Sequence, residues 1–342
     1  MSGLVLTIDD GNPLITYGPA GAWTQHNSST DTTEAINFHS ETWMMTQTPG
    51  ATISFAFEGV DFVVYGTKSP QNGNYTVDVD GIVGNVLWTG QNTSIQYSVP
   101  IYTSRVLPPM AHTITILNKN SGSLSVDYIT WNVIVDSNKS GTLSRLVLDD
   151  IDPSFNYYGG PWSDLPSHVG NFSDNTGHST STLGSAFNLT FSGKDFTIVV
   201  MRISFDFHME GDAISLYGSV GPNNGAYSVQ LDAQSAETFV ATEPTYVTQT
   251  LLYYGNNLGP GNHTLHVINE EDSLFEVDYA EIFTLPNLLS NATSTYVLRF
   301  NFACLSPITL HRGSSSESTS PTETTGVRDS QQDGSRHDAQ LK

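Results

Sequence analysis

Apolar and polar residues alternate with period two along several stretches of the chain. Thr52-Ile53-Ser54-Phe55-Ala56-Phe57 does so, as do Tyr75-Thr76-Val77-Asp78-Val79-Asp80 and the run from His112 to Ile116. Successive side chains of an extended backbone point to opposite faces, so these stretches predict strands with one face in a core and the other in water. Clusters such as Lys68-Ser69-Pro70-Gln71-Asn72-Gly73 interrupt them with the residues that turns favour. No window joins a helical apolar period to helix caps. The pattern predicts an all-β chain.

The same pattern occurs twice. Leu6-Thr7-Ile8-Asp9-Asp10-Gly11-Asn12-Pro13 recurs as Leu146-Val147-Leu148-Asp149-Asp150-Ile151-Asp152-Pro153, followed by Tyr17 and Trp23 in one copy and Tyr157 and Trp162 in the other. Gly66, Pro70, Gly73, Tyr75, Val77 and Asp80 match Gly218, Pro222, Gly225, Tyr227, Val229 and Asp232 at a constant offset of 152. His112-Thr113-Ile114 matches His263-Thr264-Leu265, and Val126-Asp127-Tyr128 matches Val277-Asp278-Tyr279, both at 151. Collinear matches over this length imply a tandem duplication with units at 1–135 and 145–285. Many short strands in each unit fit a two-sheet β-sandwich whose inner faces take the alternating apolar residues.

One segment breaks the register. Gly59 precedes Tyr65 by six residues, whereas the matching Gly193 precedes Tyr217 by twenty-four. The excess of 18 residues falls at 194–211. Two accounts fit it. Phe196–Val200 and Ile203–Phe207 could pair as an extra hairpin. Alternatively the segment is a retained intron of 54 nucleotides, since Gly-Lys at 193–194 can encode a splice donor and Glu-Gly at 210–211 an acceptor in matching phase. Excision leaves no residue over, which favours the second account.

Composition adds constraints. The 342 residues include 12 Lys and Arg against 34 Asp and Glu, a formal net charge of -22. A surface this acidic offers no basic field for nucleic acid or anionic membrane. The single cysteine, Cys304, excludes an intramolecular disulfide framework and lies outside both units. Residues 286–342 form a Ser/Thr-rich, polar tail, with nine Ser or Thr between Ser314 and Thr325. So little apolar surface predicts disorder there. The N-terminal apolar run is too short for a signal peptide, and no apolar stretch is long enough to span a bilayer. Asn27, Asn74, Asn92, Asn138, Asn171, Asn188, Asn262 and Asn291 each begin Asn-x-Ser/Thr, slightly more glycosylation acceptors than composition alone would place, which leans toward secretion.

The repeated signature Asp-Asp-x-x-Pro…Tyr…Trp, then (Phe/Leu)-x-Phe-x-Gly…Tyr-Gly, then His-Thr-(Ile/Leu)…Val-Asp-Tyr resembles a group of fungal, mostly basidiomycete, single-pass surface proteins. In that group two tandem jelly-roll ectodomains precede a Ser/Thr-rich stalk, a membrane span and a cytoplasmic tail. The closing pattern is also similar to the galactose-binding-like superfamily, rich in carbohydrate-binding modules. The resemblance covers about residues 5–285 and implies two tandem jelly-roll domains at a cell surface, binding a glycan or cell-wall polysaccharide. A structural or signalling ectodomain with a protein partner is the alternative, and a glycoside hydrolase a distant third. The chain departs from the group in lacking a leader and a span, as an incomplete gene model or an intracellular paralogue would.

Candidate chemistry is sparse. Some galactose-binding-like modules hold a structural Ca²⁺ between first and last strands. Asp9, Asp10 and Asp127, repeated as Asp149, Asp150 and Asp278, are the residues at those positions. The competing reading has Asp10 and Asp150 accept backbone N–H groups in the turns before Pro13 and Pro153. Tyr17 and Trp23, with Tyr157, Tyr158 and Trp162, are the candidates for stacking on a sugar ring, unless they plug one end of each sandwich core. His112 and His263 align but have no second ligand at metal spacing, which marks them as structural. No nucleophile, zinc or phosphate-loop motif occurs, so a non-catalytic protein without a cofactor is expected.

Overall fold

The computed structural model describes residues 3–83, 86–135, 142–192, 198–200, 203–205, 212–258 and 261–284. Asn138, Asn291, Cys304 and the tail at 286–342 lie outside the described residues. The structure is all-β, and each repeat is a sandwich of two antiparallel sheets. In repeat 1 one sheet runs Gly3–Asp9, Tyr128–Ile134, Asp61–Lys68, Gln96–Thr103. The facing sheet runs Ile15–Gly18, Thr52–Gly59, Met110–Asn118, Asn74–Val79, Ile82–Val83. Repeat 2 has the same order: Ser144–Asp149, Phe275–Thr284, Ala213–Val220, Val247–Asn256 against Phe155–Tyr158, Ala186–Ser192, Asn262–Asn269, Ala226–Leu231, Glu237–Val240.

The alternating positions read from the sequence fill the space between the sheets. Ile53, Phe55 and Phe57 are buried with Ile114 and Ile116, and Phe187, Leu189 and Phe191 with Leu265 and Val267. The conserved spacing of Tyr-Gly in both copies has a steric cause. A Cβ on Gly66 would lie 2.1 Å from the Ser125 carbonyl oxygen, and one on Gly218 2.1 Å from that of Glu276. Tyr75 donates its hydroxyl to the Ile101 carbonyl at 2.6 Å, and Tyr227 donates to that of Leu252 at 2.7 Å, so each buried phenol is satisfied across the sandwich.

The aligned histidines have partners from the same alignment. His112 Nδ1 lies 2.7 Å from Asp80 Oδ2 and His263 Nδ1 2.8 Å from Asp232 Oδ2. Both aspartates sit in the left-handed region, at φ 57° and 52°. The turn reading of Asp10 and Asp150 is corrected. The turns are closed by Asn12 Oδ1, accepting from Leu14 N, and Asp152 Oδ1, accepting from Ser154 N, both at 2.9 Å. Asp10 and Asp150 point instead into the sandwich end.

The repeats pack into one compact unit. Ala213, Leu251 and Phe283 of repeat 2 join the buried cluster of repeat 1. Asn12 Nδ2 donates to the Leu251 carbonyl at 2.9 Å and Asn27 Nδ2 to Thr245 Oγ1 at 2.8 Å. Gln25 Nε2 reaches Asp10 Oδ2 at 3.3 Å and Glu243 Oε2 at 3.4 Å, beside a cavity of about 20 Å³ that suits a single water. Within 194–211 the strands Ile198–Val200 and Ile203–Phe205 pair with each other, Ile198 opposite Phe205, and join neither repeat sheet.

Candidate functional site

The acidic candidates do come together at one end of each sandwich. In repeat 1 the carboxylates are bonded by protein donors: Asp10 by Thr42 Oγ1 at 2.6 Å and by Gln25, Asp127 by the His39 backbone N at 2.9 Å and by Ser98 Oγ. Asp9 Oδ1 lies 3.1 Å from His39 Nδ1. In repeat 2 Ser173 N donates to Asp278 and Thr176 Oγ1 to Asp149, while His178 holds Asp150. Each copy therefore brings a histidine to the acidic pair from a different chain position. Asp149 Oδ1, Asp150 Oδ1 and Asp278 Oδ2 remain buried without a partner. Burial pushes the Asp278 carboxyl up to about 7 and Asp127 up to about 6. Among the described residues no three His, Cys, Asp or Glu side chains stand together as a metal-holding group. The arrangement does not fit the roughly six to eight oxygens that Ca²⁺ takes.

The matched aromatics lie against the cores. Tyr17 and Trp23 pack on the repeat 1 cluster, 5.0 Å apart between ring centres, and Tyr157 and Trp162 on that of repeat 2, 4.8 Å apart. Tyr17 donates to the Asp10 carbonyl at 2.8 Å and Tyr157 to that of Asp150 at 3.0 Å. Trp23 Nε1 donates to Gly18 O and Trp162 Nε1 to Tyr158 O. Of the five, Tyr158 alone is exposed, beside His266. Among the sequons, Asn171 and Asn262 are exposed and Asn74 and Asn92 half-buried. Asn27 is engaged with Thr245, and Asn188 Oδ1 accepts from Tyr158.

A cleft of about 170 Å³ opens in repeat 1 at residues outside the sequence candidates. Its apolar wall comes from the connection that packs Thr24–Asn27 and Thr42–Thr46 beside Leu124–Val126. A one-turn helix, Thr32–Ala35, is capped by Asp31, whose carboxylate accepts from Glu34 N. Ala35 and Phe38 then turn inward, and two left-handed residues, Ser40 and Glu41 at φ 49° and 60°, lead into Thr42–Thr46. Alternation along that strand sends Thr42 toward Asp10 and Trp43 and Met45 to the cleft. Phe38 and Trp43 stack at 4.1 Å, and Tyr97 meets Phe38 edge-on at 5.3 Å.

The opposite wall is polar. Ser69 donates to Asn72 Oδ1, and Asn72 Nδ2 donates to the Thr67 carbonyl at 2.8 Å, which holds the amide rigid. Ser125 Oγ accepts from Thr67 N at 3.0 Å. Thr67 Oγ1 is buried with no partner although it lines the cleft. Gln71 and Ile95 stand at the mouth, both exposed. Glu34 is the one charged lining residue.

Sequence reading missed this site because it looked for aromatics shared by both copies. Shared rings are those that the fold needs. Val126 faces Met44 and Val277 faces His178, so Trp43 corresponds to Gly177. Tyr97 likewise corresponds to Thr248. The available signal was divergence between aligned copies.

No family model matches the chain, and no curated protein matches it. Solved structures similar in part include a xanthan lyase from Paenibacillus, at 11% identity and TM-score 0.28. The likeness covers 80% of this chain and 25% of that one, so the chain spans a quarter of the lyase. The N-terminal CBM22-1–CBM22-2 tandem domain from Paenibacillus barcinonensis aligns at 10% identity and TM-score 0.25, over 83% and 98% of the two chains. An f-lectin (fucolectin) from striped bass serum, Morone saxatilis, aligns at 7% identity and TM-score 0.23, over 82% and 99%. Likenesses this distant carry no functional conclusion, which rests on the cleft.

Proposed function

We propose that the protein is a non-catalytic binding module that holds a carbohydrate in the cleft of repeat 1. The observation that carries this reading is the pairing of an aromatic wall, Phe38, Trp43 and Tyr97, with a rigid wall of hydroxyls and an amide. Sugars present apolar C–H patches beside hydroxyl groups, and such a two-sided cleft meets both. The size suits one sugar ring or the end of a chain, with space otherwise for on the order of ten waters. Hydrolysis of a glycosidic bond requires two carboxyls roughly 5–9.5 Å apart. Glu34 alone lines the cleft, which supports binding without turnover. Action outside the cell or at its surface is part of this proposal, supported by the resemblance and by the exposure of the Asn171 and Asn262 sequons.

The test is a glycan array on the full chain, followed by calorimetric titration of the best ligand. Tyr97→Thr, which installs the repeat 2 residue, is expected to weaken binding about tenfold, as loss of one aromatic contact does. Unchanged affinity would remove the cleft from the reading. A protein partner is the second reading, favoured by exposed Ile82, Val86 and Leu87 near the edge of the sheet containing Asn74–Val79. Failure of every glycan combined with capture of a protein ligand through that edge would move the function there.

A further inference from the structure

Charge in the cleft narrows the sugar class, an inference that rests on the carbohydrate reading above. Among the described residues Glu34 is its one charged lining residue, and no Lys, Arg or His side chain lines it. The backbone that carries the carboxylate is fixed: Asp31 caps the helix turn by accepting from Glu34 N at 3.2 Å, and the neighbouring Ala35 is buried. The field of these acids reaches the aromatic wall. Burial first, then Glu34 and Asp31, raises the pKa of the Tyr97 hydroxyl. Trp43 is stacked on both Phe38 and His26, so the half-buried Tyr97 is the ring of this wall that offers a negative face to a cation within about 6 Å.

We propose that the cleft selects a sugar bearing a free ammonium group, an amino sugar, over its N-acetylated form and over uronic acids. The ammonium sits between the Glu34 carboxylate and the Tyr97 side of the aromatic wall, and the sugar hydroxyls meet Gln71, Asn72 and the serines of the opposite wall. An acidic sugar would place a second anion beside Glu34 with no cation among the lining residues to offset it. The corresponding place in repeat 2 lacks both elements. Asn37 and Asn171 carbonyls accept from the equivalent side chains of Ser98 and Gln249, which aligns the two loops. At that offset His168 stands where Glu34 does, and its ring packs 4.3 Å from Tyr246.

The deciding experiment is calorimetric titration of the full chain with linear oligomers of glucosamine, N-acetylglucosamine and galacturonic acid. It is run at mildly acid pH, where the sugar amine is protonated, at low and high salt. The glucosamine oligomer is expected to bind about tenfold tighter than the N-acetylated one. Galacturonic acid should bind weakest, and salt should shrink the preference. Glu34→Gln, checked for folding by its Tm, should bring the glucosamine to N-acetylglucosamine ratio close to one. Equal or tighter binding of the N-acetylated oligomer overturns the inference, as does a ratio that Glu34→Gln leaves intact. If these oligomers fail while other neutral glycans bind through Tyr97, the ammonium assignment falls and the carbohydrate reading stands. If no glycan binds at all, both fall.

Discussion

The two repeats share a backbone plan and treat one place in it oppositely. In repeat 1 Phe38 stacks on Trp43, Ser125 is small, and the space between becomes the cleft. In repeat 2 the same space is filled. Phe172 is buried where Phe38 lies, and Gly177 replaces Trp43 because a Cβ there would come within 2.3 Å of the Phe172 ring. Glu276 takes the place of Ser125 and is held by Ser219 and by Tyr246, whose hydroxyl donates to it at 2.7 Å. Tyr246 itself replaces the exposed Ile95. One copy keeps the cleft and the other converts it to a bonded interior, so duplication of the fold is not duplication of the site.

Trp43→Ala should break that contrast hardest. Trp43 is 4% exposed and is stacked on Phe38, so truncation is expected to cost about 3–5 kcal/mol and to abolish glycan binding. Thermal denaturation and titration of the same sample measure both. Gly177→Ala is the reciprocal change. It should cost about 1–3 kcal/mol by overpacking against Phe172 and Pro166 while the affinity of repeat 1 stays as it was. A variant with full stability would show that the repeat 2 loop is looser than its packing implies.

The acidic ends make the next prediction, a pH dependence of stability. Burial, with Asp9 adding to it, pushes Glu243 up to about 8, and Asp278 and Asp127 are held near 7 and 6. Folded-state values above the ordinary carboxylate range mean that the folded chain binds more protons than the unfolded one. Their contribution is complete below the unfolded carboxylate value and is lost as pH rises through the folded values. Asp80 runs the other way, its carboxyl lowered by His112 and the Thr113 backbone N–H. The raised groups, to which burial adds Asp10 and Asp149, outweigh it. Tm is expected to fall by about 5–10 °C between about pH 5 and pH 9. Glu243→Gln should flatten the upper part of that slope, since it removes the group at the contact between repeats. Asp278→Asn should flatten the middle, inside repeat 2. Melting curves at several pH values separate the two.

The smallest effect is expected from the segment at 194–211. Its two described strands pair only with each other, while Ala213–Val220 keeps the register that Asp61–Lys68 has in repeat 1. Deleting Lys194–Gly211 should therefore change Tm by no more than about 2–4 °C, roughly the effect of one kcal/mol. A large loss would make the segment an integral hairpin. Sequencing of the transcript supplies the complementary check, because a message that always carries these nucleotides would sink the retained-intron account.

Much of the scaffold was legible from residues alone. Period two in Thr52–Phe57 marked a strand, and the recurrence of its pattern marked a second sandwich; that the glycine after Tyr65 and Tyr217 serves a close backbone contact emerged only in the fold. The partnership of His112 with Asp80 was present in the alignment but not readable, since the residues are 32 positions apart and meet only when two strands pair. The aromatic candidates show the same limit. Tyr17, Trp23, Tyr157 and Trp162 announced themselves by repetition, and repetition selects what both cores require.

Sequence by itself determined the fold class, the duplication and the register break, because these follow from local periodicity and from comparison of one half with the other. Tertiary structure decided where a ligand could enter. That choice depends on whether Trp43 and Ser125, or Gly177 and Glu276, face each other across a shared gap. Such a pairing joins residues distant in the chain, and its outcome rests on side-chain volume and on which polar groups find partners.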